Sequence, residues 1–185
     1  NGLDDETIIS VAGDLTLNLD GFVLVAGGFD IVKSTQSDID LGTTNGTQDI
    51  DLLTINLTDV NLFVGVGGSF DTSAEGAYKI QAEDSENPGS FVDIDDPAAD
   101  ATGFSITNAN LYLAIVKVTD ALPGDTRRWT GVAASVDSMS VVGMPDNFVL
   151  QVDNLSLLVN ASSAGTDKID WSDLIDETNP LSELE

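Results

Sequence analysis

The sequence predicts an all-β domain of long antiparallel strands, arranged as a sandwich or a curled sheet with repeat-like stacking. Three observations carry that expectation. Apolar and polar residues alternate with a period of two through several long runs, the pattern of a strand with one buried face. Asp20-Gly21 and Asn45-Gly46 stand between such runs, and both dipeptides favour two-residue hairpin turns. A short pattern, asparagine followed by leucine and further apolar residues, recurs at Asn61, Asn110 and Asn154.

The stretch from Leu52 to Phe70 is the organising element. Ile55 and Leu57 alternate with Asn56 and Thr58, then Leu62, Val64 and Val66 alternate with Phe63, Gly65 and Gly67. The apolar positions change from odd to even between Asp59 and Asn61. One extra residue swaps the faces of a strand, so the change predicts a bulge or sharp bend there, or else two short strands joined at Thr58–Asn61. The run from Phe104 repeats the layout. Leu57 matches Ile106, Asp59 matches Asn108, Asn61 matches Asn110 and Leu62 matches Leu111. Asn154-Leu-Ser-Leu is a weaker third copy.

In chain order, Ile8 to Val11 is a short apolar start, and Leu15, Leu17 and Leu19 form a strand. Asp20-Gly21 reads equally as a hairpin or as a bulge in one longer strand. Phe22 to Ala26 continues apolar, Gly27-Gly28 punctuates it, and Phe29 to Lys33 is a strand with a wet end. Asp38-Ile-Asp-Leu and Asp49-Ile-Asp-Leu flank the Asn45-Gly46 turn. A type I′ turn would set Asp40 opposite Asp51 and put Ile39, Leu41, Ile50 and Leu52 on the core face. Asp38, Asp40, Asp49 and Asp51 would share the outer face. Like charges placed opposite one another destabilise a strand pair, so a bridging cation is one reading and a solvated acidic face the plainer one.

The segment from Asp71 to Asp100 carries nine acids against Lys79 alone, with one strand expected at Tyr78-Lys-Ile-Gln-Ala. Asp93, Asp95, Asp96 and Asp100 form the second calcium candidate, although the EF-hand order of ligands is missing. Gly103 to Thr119, Thr130 to Val142 and Phe148 to Ala161 are further strands, and Leu122-Pro-Gly-Asp-Thr is a turn. Arg127-Arg128-Trp129 reads either as a recognition spot or as arginines neutralising nearby acids beside a buried Trp129, the favoured reading. Lys168 to Ile175 closes the fold as a helical turn or a strand. The module spans 1–176, and 177–185 is expected to be a polar, loose tail.

Composition narrows function. The chain has 185 residues, 42% hydrophobic, with six basic residues against 32 acidic ones and a formal net charge of −26. That length suits one domain with a real core. Nucleic acid and anionic membrane surfaces are poor partners for such a charge, which calls for screening by salt or by extracellular calcium. There is no cysteine and no histidine, which removes disulfides, thiol nucleophiles, Cys/His zinc sites and every Ser-His-Asp triad. No apolar run is long enough to span a membrane as a helix. The chain begins mid-pattern, as a module taken from a longer protein would.

Three phrases in order carry a resemblance. They are Ile50-Asp-Leu-Leu-Thr-Ile with Asn61-Leu-Phe-Val-Gly-Val-Gly-Gly; Arg128-Trp-Thr-Gly-Val-Ala-Ala-Ser-Val; and Val141-Val-Gly-Met-Pro followed by Phe148-Val-Leu-Gln-Val-Asp-Asn-Leu-Ser-Leu. Together they resemble the repeat unit of very large bacterial secreted or cell-surface proteins of the calcium-associated adhesin type, over roughly Leu15 to Trp171. The resemblance implies one unit of an array, without catalytic residues, located outside the cell or on its surface. Its partners would be neighbouring copies of the module, with a surface glycan or protein receptor as a further candidate. The glycine-rich calcium nonapeptides often found in such proteins are missing.

A structural or adhesive module without catalysis is therefore the leading expectation, with calcium as its cofactor. A carbohydrate-binding β domain is the alternative, and it would need exposed coplanar tryptophan or tyrosine rings. A lipid-carrying β groove is the second alternative, and it would need a continuous open apolar trough.

Overall fold

The computed structural model describes residues 7–41, 46–72, 79–119, 121, 124–145, 147–163 and 165–184. The fold is all-β. Six long strands form one antiparallel meander: β1 (Thr7–Leu19), β2 (Val23–Asp40), β3 (Thr47–Val66), β7 (Thr102–Val118), β8 (Arg128–Val142) and β9 (Gln151–Ser162). Between β3 and β7 the chain makes a small antiparallel sheet of β4 (Gly68–Asp71), β5 (Lys79–Glu83) and β6 (Phe91–Asp93). Two short 3-10 turns, Trp171–Asp173 and Pro180–Glu183, follow β9.

Asp20-Gly21 is a hairpin turn. Both residues have positive φ, 55° and 69°, the type I′ signature. Asn18 Oδ1 accepts the Gly21 N–H at 2.7 Å. Among the described residues, the non-glycine residues with positive φ are Asp20, Asp38, Asp59, Asn108 and Asn154, the residue types that tolerate the left-handed region best after glycine.

The parity change is one strand with a left-handed residue inside it. β3 runs through Thr58–Asn61 unbroken, with Asp59 at φ 52° and a register shift against both neighbours. Asn108 on β7 (φ 50°) and Asn154 on β9 (φ 55°) occupy the same line across the sheet. The recurring asparagines lock β3 to β7 there. Asn61 Oδ1 accepts the Asn108 N–H at 3.2 Å, and Asn61 Nδ2 donates to the Asp59 carbonyl at 3.0 Å. Asn110 mirrors it, accepting the Asp59 N–H at 3.1 Å and donating to the Asn108 carbonyl at 3.4 Å. Gly27-Gly28 does not punctuate β2. A Cβ at Gly27 would come within 2.8 Å of Val60 Cγ2, so these glycines let β2 pass close to the β3 bulge.

One face of the large sheet carries two separate cores. At one end the small sheet lies over Leu24, Phe63 and Val142, contributing Ile80 and Ala82, with Ile94 beside it. The Phe63 ring lies against Gly65, Gly68 and Gly103, whose missing Cβ atoms would all fall within 2.9 Å of it. At the other end the C-terminal turns cover Leu41, Ile50, Leu52, Val116 and Trp129. Trp171 lies over Gly131, where a Cβ would come within 2.9 Å of the ring. Both buried indoles are satisfied, as buried Trp requires: Trp129 Nε1 donates to the Asp167 carbonyl at 2.8 Å and Trp171 Nε1 to Asn160 Oδ1 at 3.1 Å. The stretch from Glu177, expected to be loose, instead supplies buried Leu181 and Leu184 to this core. Its backbone is tied in by the Trp171 N–H, which donates to the Leu184 carbonyl at 3.0 Å.

Two predictions follow from this packing. Leu181→Ala lowers the unfolding free energy by about 2–5 kcal/mol, the cost of emptying a closed leucine site, as read by urea unfolding. Asp59→Val costs about 1–2 kcal/mol through left-handed strain, whereas Asp59→Gly leaves the urea midpoint near that of the wild type.

Candidate functional site: an uncovered apolar sheet face

The second face of the large sheet is defined by its cross-strand register. One row runs Val11, Ile31, Ile55, Leu113, Val132 and Val159 across all six strands. The next runs Gly13, Phe29, Leu57, Leu111, Ala134 and Leu157. Beyond the line of Asp59 and Asn108, Leu17, Val25, Leu62, Ile106, Met139 and Val152 make a third row. Leu19, Val23, Val64, Phe104 and Val141 make a fourth. Because the sequence changes parity where the backbone does, the same face stays apolar on both sides of the bulge.

Nothing among the described residues covers these rows. Every side chain named in them, Gly13 aside, is half-buried or exposed, whereas the opposite face holds Leu24, Ile50, Phe63 and Trp129 at 0% exposure. On the edge strands Val11 is 50% exposed and Leu157 54%. The face is on the order of 800 Å² in extent, taking strand spacings of about 4.8 Å and rises of about 3.3 Å per residue. An ordinary monomer shows an apolar patch of about 300–600 Å² at most.

The four rows hold no charged side chain; Asp59 and Asp137 sit on the line that divides them, and basic residues gather at one end of the face. There Thr35, Asp51, Lys117 and Arg128 are cross-strand neighbours, with Lys33 one row inward. Lys33 Nζ lies 3.4 Å from Asp51 Oδ2, an exposed pair worth little to stability. Among the described residues Lys117 and Arg128 make no ion pair. Three of the six basic residues of the chain thus gather at this end, around Asp51, with Asp49 next along β3 and Asp125 in the same cleft as Lys117 and Arg128. Arg127, the neighbour of Arg128, is instead committed: its guanidinium binds Asp125, with Nη2 2.7 Å from Oδ2, and also reaches Gln48. That contact holds the Asp125 carboxyl below the usual aspartate range. The reading of arginine as neutraliser beside a buried Trp129 holds for Arg127.

The eight aspartates read as metal candidates do not converge. Asp40 pairs with Thr47, and Asp51 pairs with Thr35 rather than with Asp40. The cause is a bulge at Asp38 (φ 58°), where Ser37 and Asp38 of β2 face Asp49 alone on β3. That bulge still brings Ile39, Leu41, Ile50 and Leu52 into one core, while Asp51 turns to the apolar face. Asp49 Oδ1 accepts the Asp38 N–H at 3.1 Å. The Asn45-Gly46 turn itself lies partly outside the described residues, as do the start of the chain, Tyr78 and the Leu122-Pro123 turn. In the second cluster Asp96 caps its own turn, accepting the Ala98 N–H at 2.8 Å. Asp93 and Asp95 share a cleft of about 260 Å³ with Lys79, Asn61 and Asn108. Among the described residues no three acidic groups assemble as a metal-binding set.

Sequence reasoning missed Asp84, an acid that organises the small sheet. It is 8% exposed. It accepts the Glu86 and Asn87 N–H groups and the Asn87 amide, which hold its carboxyl below the ordinary range, the Asn87 amide contributing most. Asp84 followed three residues on by Asn87 was the available signal, an Asx turn. Neither tryptophan forms an exposed platform, since Trp129 and Trp171 are both fully buried. No helix among the described residues is long and apolar enough to cross a membrane. In comparisons with known proteins, no family model, no curated protein and no solved structure matches the chain.

The depressed Asp125 sets a pH dependence. A group with a lowered folded pKa contributes stability above its unfolded value of about 3.9, and loses it as pH falls through the folded value. Asp125→Asn therefore lowers the melting temperature at neutral pH, and the two proteins converge in acid. A difference that persists unchanged well below pH 3 contradicts this account.

Proposed function

We propose that the chain is a non-catalytic structural module of a large exported bacterial surface protein, and that its work is to pack through the uncovered apolar face. The carrying observation is that face: four rows of apolar side chains cross the sheet and no described part of the chain lies over them. Sheets with such a face find their stable state by stacking on another layer. The extracellular setting and the place in a repeat array rest on the resemblance and on the acidity. Cations, calcium among them, act in this reading as counter-ions to a surface of net charge −26, because the candidate aspartates fit no single ion among the described residues.

The lipid-carrying reading shares the same observation, since an open apolar face is what it requires. Lys33, Lys117 and Arg128 at one end would suit an acidic headgroup. The stacking reading is preferred because the face is as broad as a whole sheet, suited to another sheet rather than to one acyl chain.

The test is an apolar fluorescent dye, titrated at high dilution against the wild type and a Leu57→Ser, Leu113→Ser double variant. The wild type enhances the dye strongly and the variant several-fold less, with unchanged far-ultraviolet circular dichroism. If the native wild type gives no enhancement, the face is closed and this reading fails.

A further inference from the structure

The proposed function leaves the occupant of the face open; resting on that reading, we infer that the occupant is a second copy of this chain. The two copies meet face to face about a two-fold axis that lies across the strands. Area is the first argument. A face on the order of 800 Å² matches what each partner buries in a standard stable complex, and two apolar sheet faces interdigitate about 10 Å apart. A two-fold axis makes one surface serve both copies.

Charge is the second argument, and it fixes the orientation. Each copy carries a formal net charge of −26, so most directions of approach are repulsive. At one end of the apolar face Lys33, Lys117 and Arg128 stand around Asp51, with Asp49 next along β3 on the same side. With the axis along the strands, these cations would face their own copies. With the axis across the strands each strand crosses its own copy at the opposite end, so Lys33 on β2 lies over the β1–β2 turn of the other copy, where Asp20 sits exposed, and Lys117 and Arg128 no longer face their own copies. Opposite charges across an interface set register and orientation.

The chain has no cysteine, so introduced thiols report proximity without background. Sedimentation of the intact chain from nanomolar to tens of micromolar concentration gives a discrete monomer–dimer equilibrium. Leu113→Asp shifts it to monomer, with circular dichroism recording that the fold persists. Lys33 has a 39% exposed side chain and Asp20 sits exposed in a turn, away from both cores, and circular dichroism records that the fold persists in their variants even if Leu113→Asp unfolds. Under mild oxidation the K33C, D20C double variant becomes a covalent dimer, and K33C alone does not.

Three outcomes overturn the inference. The wild type stays monomeric throughout, it grows into open-ended oligomers through its edge strands, or K33C alone cross-links efficiently. A monomer that carries lipid or fatty acid in native mass spectrometry assigns the face to that occupant instead. A monomer that still binds the dye refutes the dimer alone; loss of dye binding at dilution refutes the underlying reading as well.

Discussion

The structure depends on a line of left-handed residues across the large sheet. Asp59, Asn108 and Asn154 hold φ near 50°, where most side chains are strained. Each lets its strand change face without ending. The apolar residues change parity at the same places, so the two changes cancel and one face stays apolar from end to end. Asn61 and Asn110 supply the local hydrogen bonds that make the distortion affordable, since backbone groups freed from the ladder must find partners. Without that line, β3 and β7 would present leucines on one face at one end and on the other face beyond it.

The opposite face follows from the same device. Phe63 and Gly65 lie beyond the bulge and Ile50 and Leu52 before it, yet all four point to the covered side. Two caps share that side without merging: the small sheet rests on Phe63, and the C-terminal turns rest on Trp129 and Gly131. Glycines beneath Phe63 and Trp171 mark where a ring replaces a side chain of the sheet. Between the caps, Asp30, Asn56 and Tyr112 form a polar band. The covered side therefore carries a polar band between its two cores, while the open side carries four apolar rows, unlike a simple half-solvated sheet.

Much of this was legible in the sequence. Strand existence, the parity change and the matching of Asp59 with Asn108 were readable, because period-two alternation and a single inserted residue leave local marks. The cross-strand role of Asn61 and Asn110 was not, since it depends on which strands become neighbours. Gly27-Gly28 looked like punctuation because glycine signals both a turn and a close backbone approach. The C-terminal stretch looked loose because its two leucines lie among polar residues, and only tertiary packing buries them. The acidic hairpin was misregistered because Asp38, not the turn alone, sets the pairing. The open face could not be read at all: a strand apolar on one side carries no mark of whether anything lies over it.

The central claim is that β3, β7 and β9 change face at their left-handed residues and that one side of the sheet is left open. Single cysteines along β3 test it directly, labelled with a water-soluble maleimide below the concentration at which copies associate. The account predicts fast and similar labelling at Ile55→Cys and Leu62→Cys, which differ in parity, and strong protection at Leu52→Cys and Phe63→Cys. If protection instead follows one parity through the whole strand, with Ile55→Cys and Phe63→Cys alike, the face does not switch and the account is wrong.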